Sequence, residues 1–230
     1  MYNLPKRVLS FAINACIDSL PSYTNLCRWG KRLTDKCLFC PNTTGTLHHI
    51  LANCPTFLER YEWRHNNILR SIYCTIKDSL QDALVFADMG GFSIAGGTIP
   101  PHIYVTSQRP DLVVVREELK QMIVMELTVP FETNVEEAHK RKIDRYKDLI
   151  SDLTDETGYK VSFYAIEVGL RGHIDNNNKQ RLKKFMKDCN FQISPKPIFD
   201  KLCKLAVVSS FVIFYARKEM LWGDVQYLDV

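Results

Sequence analysis

The stretch Arg109-Pro-Asp-Leu-Val-Val-Val-Arg-Glu-Glu-Leu-Lys-Gln-Met-Ile-Val-Met-Glu-Leu-Thr-Val129 decides how the rest of the chain is read. Leu112 to Val115 and Met122 to Val129 are rich in β-branched and other apolar residues, the composition of strands. Period-two alternation along the second run puts Met122, Val124, Glu126 and Thr128 on one face. A carboxylate with apolar neighbours in a strand is costly to bury unless it is paired or on a metal. Asp111 stands immediately before the first run, with fourteen residues between it and Glu126. Two adjoining strands would bring these acids together.

Toward the C-terminus, Asn134 to Leu153 reads as a helix, with Asn134 as N-cap and Glu136 and Glu137 in the first turn, where the helix dipole favours acids. At 100° per residue, Val135, Ala138, Lys142, Tyr146, Leu149 and Leu153 form one stripe. Lys142 lies mid-stripe, while Lys140, Arg141 and Lys147 point elsewhere. A lysine on an apolar stripe must snorkel out or meet buried carboxylates, and Asp111 and Glu126 are natural partners. Paired hard oxygen donors suit Mg²⁺ or Mn²⁺, and phosphodiester hydrolysis is chemistry that such sites run. Ile103 to Thr106 and Val161 to Val168 are further expected strands. Asn178 to Asp188 and about Ile198 to Trp222 are further helices, with Val207 to Tyr215 competing as a strand. Strands alternating with helices predict an α/β fold, a sheet flanked by helices.

Toward the N-terminus, Gly90, Gly91, Gly96, Gly97, Pro100 and Pro101 mark 89–101 as a loop or linker. The expected organisation is a helical region over 1–88, this linker, and an α/β domain over 102–230. Pro55 to Leu84 has a helical pattern. Before it, Cys37-Leu-Phe-Cys40 and Leu47-His-His-Ile-Leu-Ala-Asn-Cys54 supply three thiols and two imidazoles. A Cys-x2-Cys turn gives zinc two ligands, and a His before a third Cys closes a tetrahedron. Cys37, Cys40, His49 and Cys54 are the expected ligands of a structural Zn²⁺, with His48 the alternative to His49. Cys16, Cys27, Cys74, Cys189 and Cys203 are expected in core packing. Arg60-Tyr-Glu-Trp63-Arg64-His65 interleaves cations with aromatics, which suits either phosphate and base contacts or an amphipathic helix with Tyr61 and Trp63 partly buried.

Composition narrows the class. The chain has 230 residues, 46% hydrophobic and 24% charged, with 30 Lys+Arg against 26 Asp+Glu. These values are ordinary for a globular protein, and the net charge is too small by itself to argue for nucleic acid. No run reaches the roughly 18 apolar residues of a membrane span, and the N-terminus does not read as a signal peptide. The eight cysteines are therefore expected in a reducing, intracellular compartment, free of disulfides.

The acid pair resembles the PD-(D/E)xK nuclease fold, in which a lysine normally lies two residues after the second acid; here that residue is Thr128. More specifically, Arg109-Pro110-Asp111 with Glu126 is similar to the restriction-like endonuclease of site-specific non-LTR (LINE-type) retrotransposons. In that family a Cys-x2-Cys…His-x4-Cys knuckle precedes the endonuclease, as Cys37, Cys40, His49 and Cys54 do. Leu20-Pro21 with Asn25-Leu26 and Trp29, Arg60-Tyr61 with Trp63-Arg64-His65, Val129-Pro130-Phe131-Glu132 and Val168-Gly169-Leu170-Arg171-Gly172 look similar too. The resemblance implies that the lysine has moved into the following helix, matching Lys142 with Tyr146 one turn later. It implies a metal-dependent nuclease that nicks target DNA, with Asp111 and Glu126 on Mg²⁺, Lys142 at the attacking water and Tyr146 in support. Arg60, Trp63, Arg64, Arg109 and Arg171 are the candidate contacts to target DNA or element RNA; Glu132, six residues after Glu126, is either an extra acid of the site or, by preference, a surface or capping residue. It further implies nuclear action and a reverse transcriptase elsewhere in a longer parent protein. The rival expectations are an inactive nucleic-acid-binding remnant and a zinc-stabilised interaction module.

Overall fold

Four β-strands and six α-helices carry the fold in the computed structural model, which describes residues 4–80, 82–94, 97–191 and 194–222. In chain order they are α1 (Lys6–Cys16), α2 (Tyr23–Arg28), α3 (Leu58–Lys77), β1 (Leu84–Ala87), β2 (Leu112–Arg116), β3 (Gln121–Thr128), α4 (Val135–Thr157), β4 (Lys160–Glu167), α5 (Asn176–Asp188) and α6 (Pro195–Tyr215). A single π-helical turn, His49–Asn53, and a 3-10 turn, Pro55–Phe57, lead into α3.

The sheet is mixed, in the order β1-β2-β3-β4. β1 pairs antiparallel with β2, β2 antiparallel with β3, and β3 parallel with β4, with Leu112 opposite Met125 and Glu126 opposite Ala165. Strand alternation divides the side chains between two layers. Leu112, Val114, Ile123, Met125 and Leu127 face α3, α5 and α6 in one core. Val113, Val115, Met122 and Val124 face Tyr146, Leu149 and Leu153 of α4 in another. The expected face of β3 and the expected stripe of α4 thus meet each other. At about 25 cal/mol per Å² of apolar surface buried, two covered faces supply the main favourable contribution to folding.

α6 is apolar around most of its circumference and joins this assembly to the N-terminal region. Its Val207, Ile213 and Phe214 pack with Phe11 of α1 and with Ile50, Leu51 and Phe57 of the turns before α3. α3 and β1 lie before the 89–101 segment yet share a core with β2, β3, α5 and α6. The expected break therefore falls within one hydrophobic core. Ala95 and Gly96 of that segment, and residues 223–230 at the end of the expected second domain, lie outside the described residues.

Several local expectations are corrected. Ile103 to Thr106 is not a strand: the N–H groups of Ile103 and Tyr104 both donate to Pro100 O, at 2.9 and 3.1 Å, forming a turn. The place beside β2 is taken by Leu84–Ala87, which the helical pattern over Pro55 to Leu84 had absorbed. The last segment is helical through Val207 to Tyr215 and stops at Tyr215. Asn134 sits at the N-cap of α4 without capping it; its Oδ1 accepts from Thr133 Oγ1 at 2.8 Å. Cys189 and Cys203 are buried as expected, but Cys16 and Cys74 are exposed and Cys27 is half-buried. Among the described residues no helix is long and apolar enough to cross a membrane.

Candidate metal and acid sites

The Cys37–Cys40 turn is closed by Cys37 N–H to Thr43 O at 2.9 Å and Thr43 N–H to Cys40 O at 2.8 Å. His49 begins the π-helical turn and Cys54 follows its end. One donor atom from each of Cys37, Cys40, His49 and Cys54 lies within 4.8 Å of the others. The Sγ atoms of Cys40 and Cys54 are 3.7 Å apart, close to the edge of about 3.8 Å in a tetrahedron with Zn–S bonds of about 2.3 Å. Nε2 is buried without a hydrogen-bond partner in both His48 and His49, and of the two only His49 stands among the thiols. These four residues could hold a metal such as zinc. His48, the alternative, stands outside the cluster, with its ring edge-on to Phe131 at 4.8 Å and Nδ1 3.2 Å from Asn53. Burial, and then the neighbouring Cys40 and Cys37 thiols, push the Cys54 thiol up to about 12; a bound cation reverses that balance and favours thiolates.

Tyr61 of α3 ties the cluster to the fold. Its hydroxyl accepts from Cys54 N–H at 3.1 Å and donates to Ile50 O at 2.9 Å.

The two acids adjoin at the open end of β2 and β3. Asp111 N–H donates to Glu126 Oε2 at 3.1 Å, and Leu127 N–H donates to Asp111 Oδ2 at 2.7 Å. Lys142 reaches Glu126 Oε1 from α4 in an ion pair. Glu126 is only 2% exposed. Burial and the charge of Asp111 push its carboxyl above the ordinary range, while Lys142 pulls it down. The Tyr146 hydroxyl is one turn further along α4 and donates to Arg109 O at 3.1 Å. Burial, and next the charge of Glu126, hold that phenol well above its usual range.

The direct partner of Asp111 is His65 rather than Lys142, with Nε2 3.3 Å from Oδ2. Burial by itself would lower this imidazole, but the hydrogen bond and charge of Asp111 raise it to about 9. His65 appears in the Trp63-Arg64-His65 stretch but was not expected at the acid pair. Its signal was the stripe Tyr61, His65, Ile68, Ile72, spaced for one helix face.

A cleft of about 380 Å³ is lined by His65 and Lys142, the partners of the two acids, but by neither acid and by none of the four Cys/His-cluster residues. The knuckle contributes His48 and Asn53, α3 contributes Arg64 and His65, and α4 contributes Arg141 and Lys142. Arg141, expected to point elsewhere, is exposed and lines this cleft as well.

The other candidate nucleic-acid contacts separate by burial. Arg60 is 1% exposed, donates to Ala216 O at 2.7 Å and Glu219 O at 2.5 Å, and lies over Phe57 at 3.9 Å. It holds α3 to the end of α6 and, contrary to expectation, its guanidinium is not open to a nucleic acid. Trp63 packs edge-on against Trp222 at 5.4 Å. Arg171 binds Glu132, with Nε 2.5 Å from Oε2, and reaches Ala15 O at 3.2 Å, so both partners are structural; Glu132 is not a capping acid. Arg109 is exposed and pairs with Asp88 at 2.5 Å.

The chain matches no protein-family model, and no curated protein is significantly similar to it.

Proposed function

We propose that the chain is a metal-dependent DNA endonuclease of restriction-like PD-(D/E)xK type, the portion of a site-specific non-LTR retrotransposon protein that nicks target DNA. The observation that carries this reading is the meeting of Asp111, Glu126 and Lys142 at one end of the sheet, with Asp111 N–H on Glu126 and Lys142 on the same carboxylate. The donor set suits a hard divalent ion: both groups are carboxylates, and among the described residues Asp111 Oδ1 accepts no hydrogen bond. Mg²⁺ or Mn²⁺ held by Asp111 and Glu126 supplies positive charge at a scissile phosphate and a more acidic water.

The protein's own groups do the positioning. Leu127 N–H and His65 fix the Asp111 carboxylate, and Asp111 N–H fixes that of Glu126. The Lys142 ammonium neutralises Glu126 and stands where negative charge would develop on a phosphate oxygen, the kind of preorganised donor that favours a transition state. Tyr146 anchors the backbone of Arg109 just before the first acid. The Cys/His cluster, with a structural zinc, would hold the knuckle against α3. Target DNA, and in a longer parent a reverse transcriptase and element RNA, are the partners this reading implies, acting in the nucleus.

A second reading, an inactive binder stapled by zinc, is favoured by the carboxylates' existing donors: Lys142, His65 and two backbone N–H groups already engage them. Supercoiled plasmid in Mg²⁺ separates the two readings. Conversion to open circles supports the nuclease; a gel shift without open circles supports the binder.

A further inference from the structure

A second cavity, of about 420 Å³, is formed by the loop after β4, α5 and the start of α6. It shares no lining residue with the cleft beside the acid pair. Lys179 and Lys183 of α5 and Lys196 of α6 line it, and Asp200 is the acid among its lining side chains. Three ammonium groups against one carboxylate make a strongly positive hollow. Ile174 and Phe199, both buried, give it an apolar wall.

Each of these cations stands where local physics disfavours it. Lys179 and Lys183 are spaced i, i+4 on α5, and like charges at that spacing destabilise a helix. Lys196 lies in the first turn of α6, at the positive end of the helix dipole, in a turn that holds no acid. The N-cap Ser194 makes no capping hydrogen bond and also lines the cavity. Compensation from the protein is small. Lys196 pairs with Asp200 at 3.2 Å, but the two side chains are 83% and 49% exposed, and an ion pair in such a setting contributes little. Asp175, one turn before Lys179, accepts from the backbone N–H and the side-chain amide of Asn178 instead. Other cations of α5 are engaged outside the cavity: Arg181 pairs with Glu167, and Lys184 lies over the Tyr164 ring. Lys179 and Lys183 have no acid partner among the described residues. A concave site lined by one sign of charge concentrates ions of the other.

We propose that this cavity binds an organic polyphosphate, an anion with two or more phosphate groups on an apolar or ring-bearing body. Lysines hold phosphate as point charges, and three of them around one hollow match adjoining phosphates. The apolar wall, and a volume within the roughly 300–1,000 Å³ of small-molecule sites, suit the organic part. A nucleic-acid strand is tracked by cations spread along a groove, whereas these converge on one cavity. The assignment does not rest on the nuclease reading.

The test is calorimetric titration of the whole zinc-loaded chain with ADP and with pyrophosphate, without Mg²⁺, so that no metal bridges either probe to the acid pair. One ADP per chain is expected, bound more tightly than pyrophosphate and weakened by added NaCl. Lys179→Gln and Lys183→Gln are each expected to weaken ADP about tenfold, the scale of one charge-assisted contact. Lys184→Gln, on the same helix but outside the cavity, is expected to leave ADP binding unchanged. Both cavity variants are expected to melt no lower than the parent, because an i, i+4 repulsion is removed. Lys196→Gln, on the other helix, should weaken ADP likewise and serves if an α5 variant does not fold. The proposal is overturned by the lack of saturable ADP binding, by binding that survives the loss of both Lys179 and Lys183, or by equal weakening in Lys184→Gln. Pyrophosphate bound as tightly as ADP overturns the organic ligand. A DNA duplex weakened by Lys183→Gln, with neither probe bound, makes the cavity a strand contact and overturns it too. Plasmid nicking, present or absent, bears on none of these outcomes.

Discussion

The backbone N–H of Asp111 donates to the Glu126 carboxylate at 3.1 Å, joining two acids separated in sequence by the whole β2–β3 hairpin. The antiparallel register makes this contact, since Leu112 opposite Met125 leaves Asp111 beside Glu126. His65 from α3 and Lys142 from α4 meet the two acids at that junction, and both line the cleft that also takes in His48 and Asn53 of the knuckle.

The Glu126–Lys142 pair is mostly buried, with side chains 3% and 16% exposed. Removing Lys142 alone leaves Glu126 without its cation, so Lys142→Met should lower stability by about 3 kcal/mol. Glu126→Gln combined with Lys142→Met should cost less than the sum of the single changes. Urea unfolding of the four proteins at pH 7 measures the coupling; strictly additive losses would mean that the pair is not made.

One zinc per chain is expected by elemental analysis. His49→Ala and Cys40→Ser should reduce it well below one, while His48→Ala should retain it, because only His49 joins the thiol cluster. Chelation should lower the melting temperature, since a metal bound to the folded form adds its binding free energy to stability.

Asp175 caps α5, accepting from Asn178 N–H at 2.8 Å. Burial would raise its carboxyl, but the Asn178 hydrogen bonds, with the charge of Arg181 and the Asn177 N–H, together hold it below the ordinary value. A carboxyl lowered on folding contributes stability above its unfolded pKa and loses it as pH falls through the folded one. Asp175→Ala should cost about 1 kcal/mol at pH 7, and the difference should disappear in acid below the folded pKa. Urea midpoints at the two pH values check both parts.

Gly172 has φ +85°, and an added Cβ would stand 2.3 Å from Val207 Cγ2 and 2.9 Å from Cys203 O. Gly172→Ala should therefore destabilise by about 2 kcal/mol or more, combining left-handed backbone strain with a clash against α6. Thermal unfolding measures it. A Cβ on Gly169 would meet Glu132 Oε1 at 2.6 Å, so the Val168–Gly172 stretch has a packing role after β4.

What was legible in the sequence follows from periodicity. β2, β3, β4 and α4 have unambiguous patterns, and the stripe through Lys142 and Tyr146 found the face that Glu126 occupies. The Cys/His spacing likewise located a cluster that folding closes. β1 was hidden because four residues, Leu84–Ala87, extend a helical apolar pattern and carry no period of their own. Arg60 was misread because cations interleaved with aromatics look alike whether they face phosphate or, as here, stack over Phe57 and bond the carbonyls after α6. His65 was missed because its partner Asp111 lies 46 residues away, and local pattern has no access to such a contact.

Single-turnover cleavage of an end-labelled DNA duplex by the zinc-loaded chain in Mg²⁺, parent against Asp111→Asn, puts the acid junction to the most direct trial. The expected result is cleavage by the parent and a rate lower by about a hundredfold or more in the variant, the scale of losing an essential charged group. Equal rates for the two proteins, or no cleavage by the parent, would contradict the account.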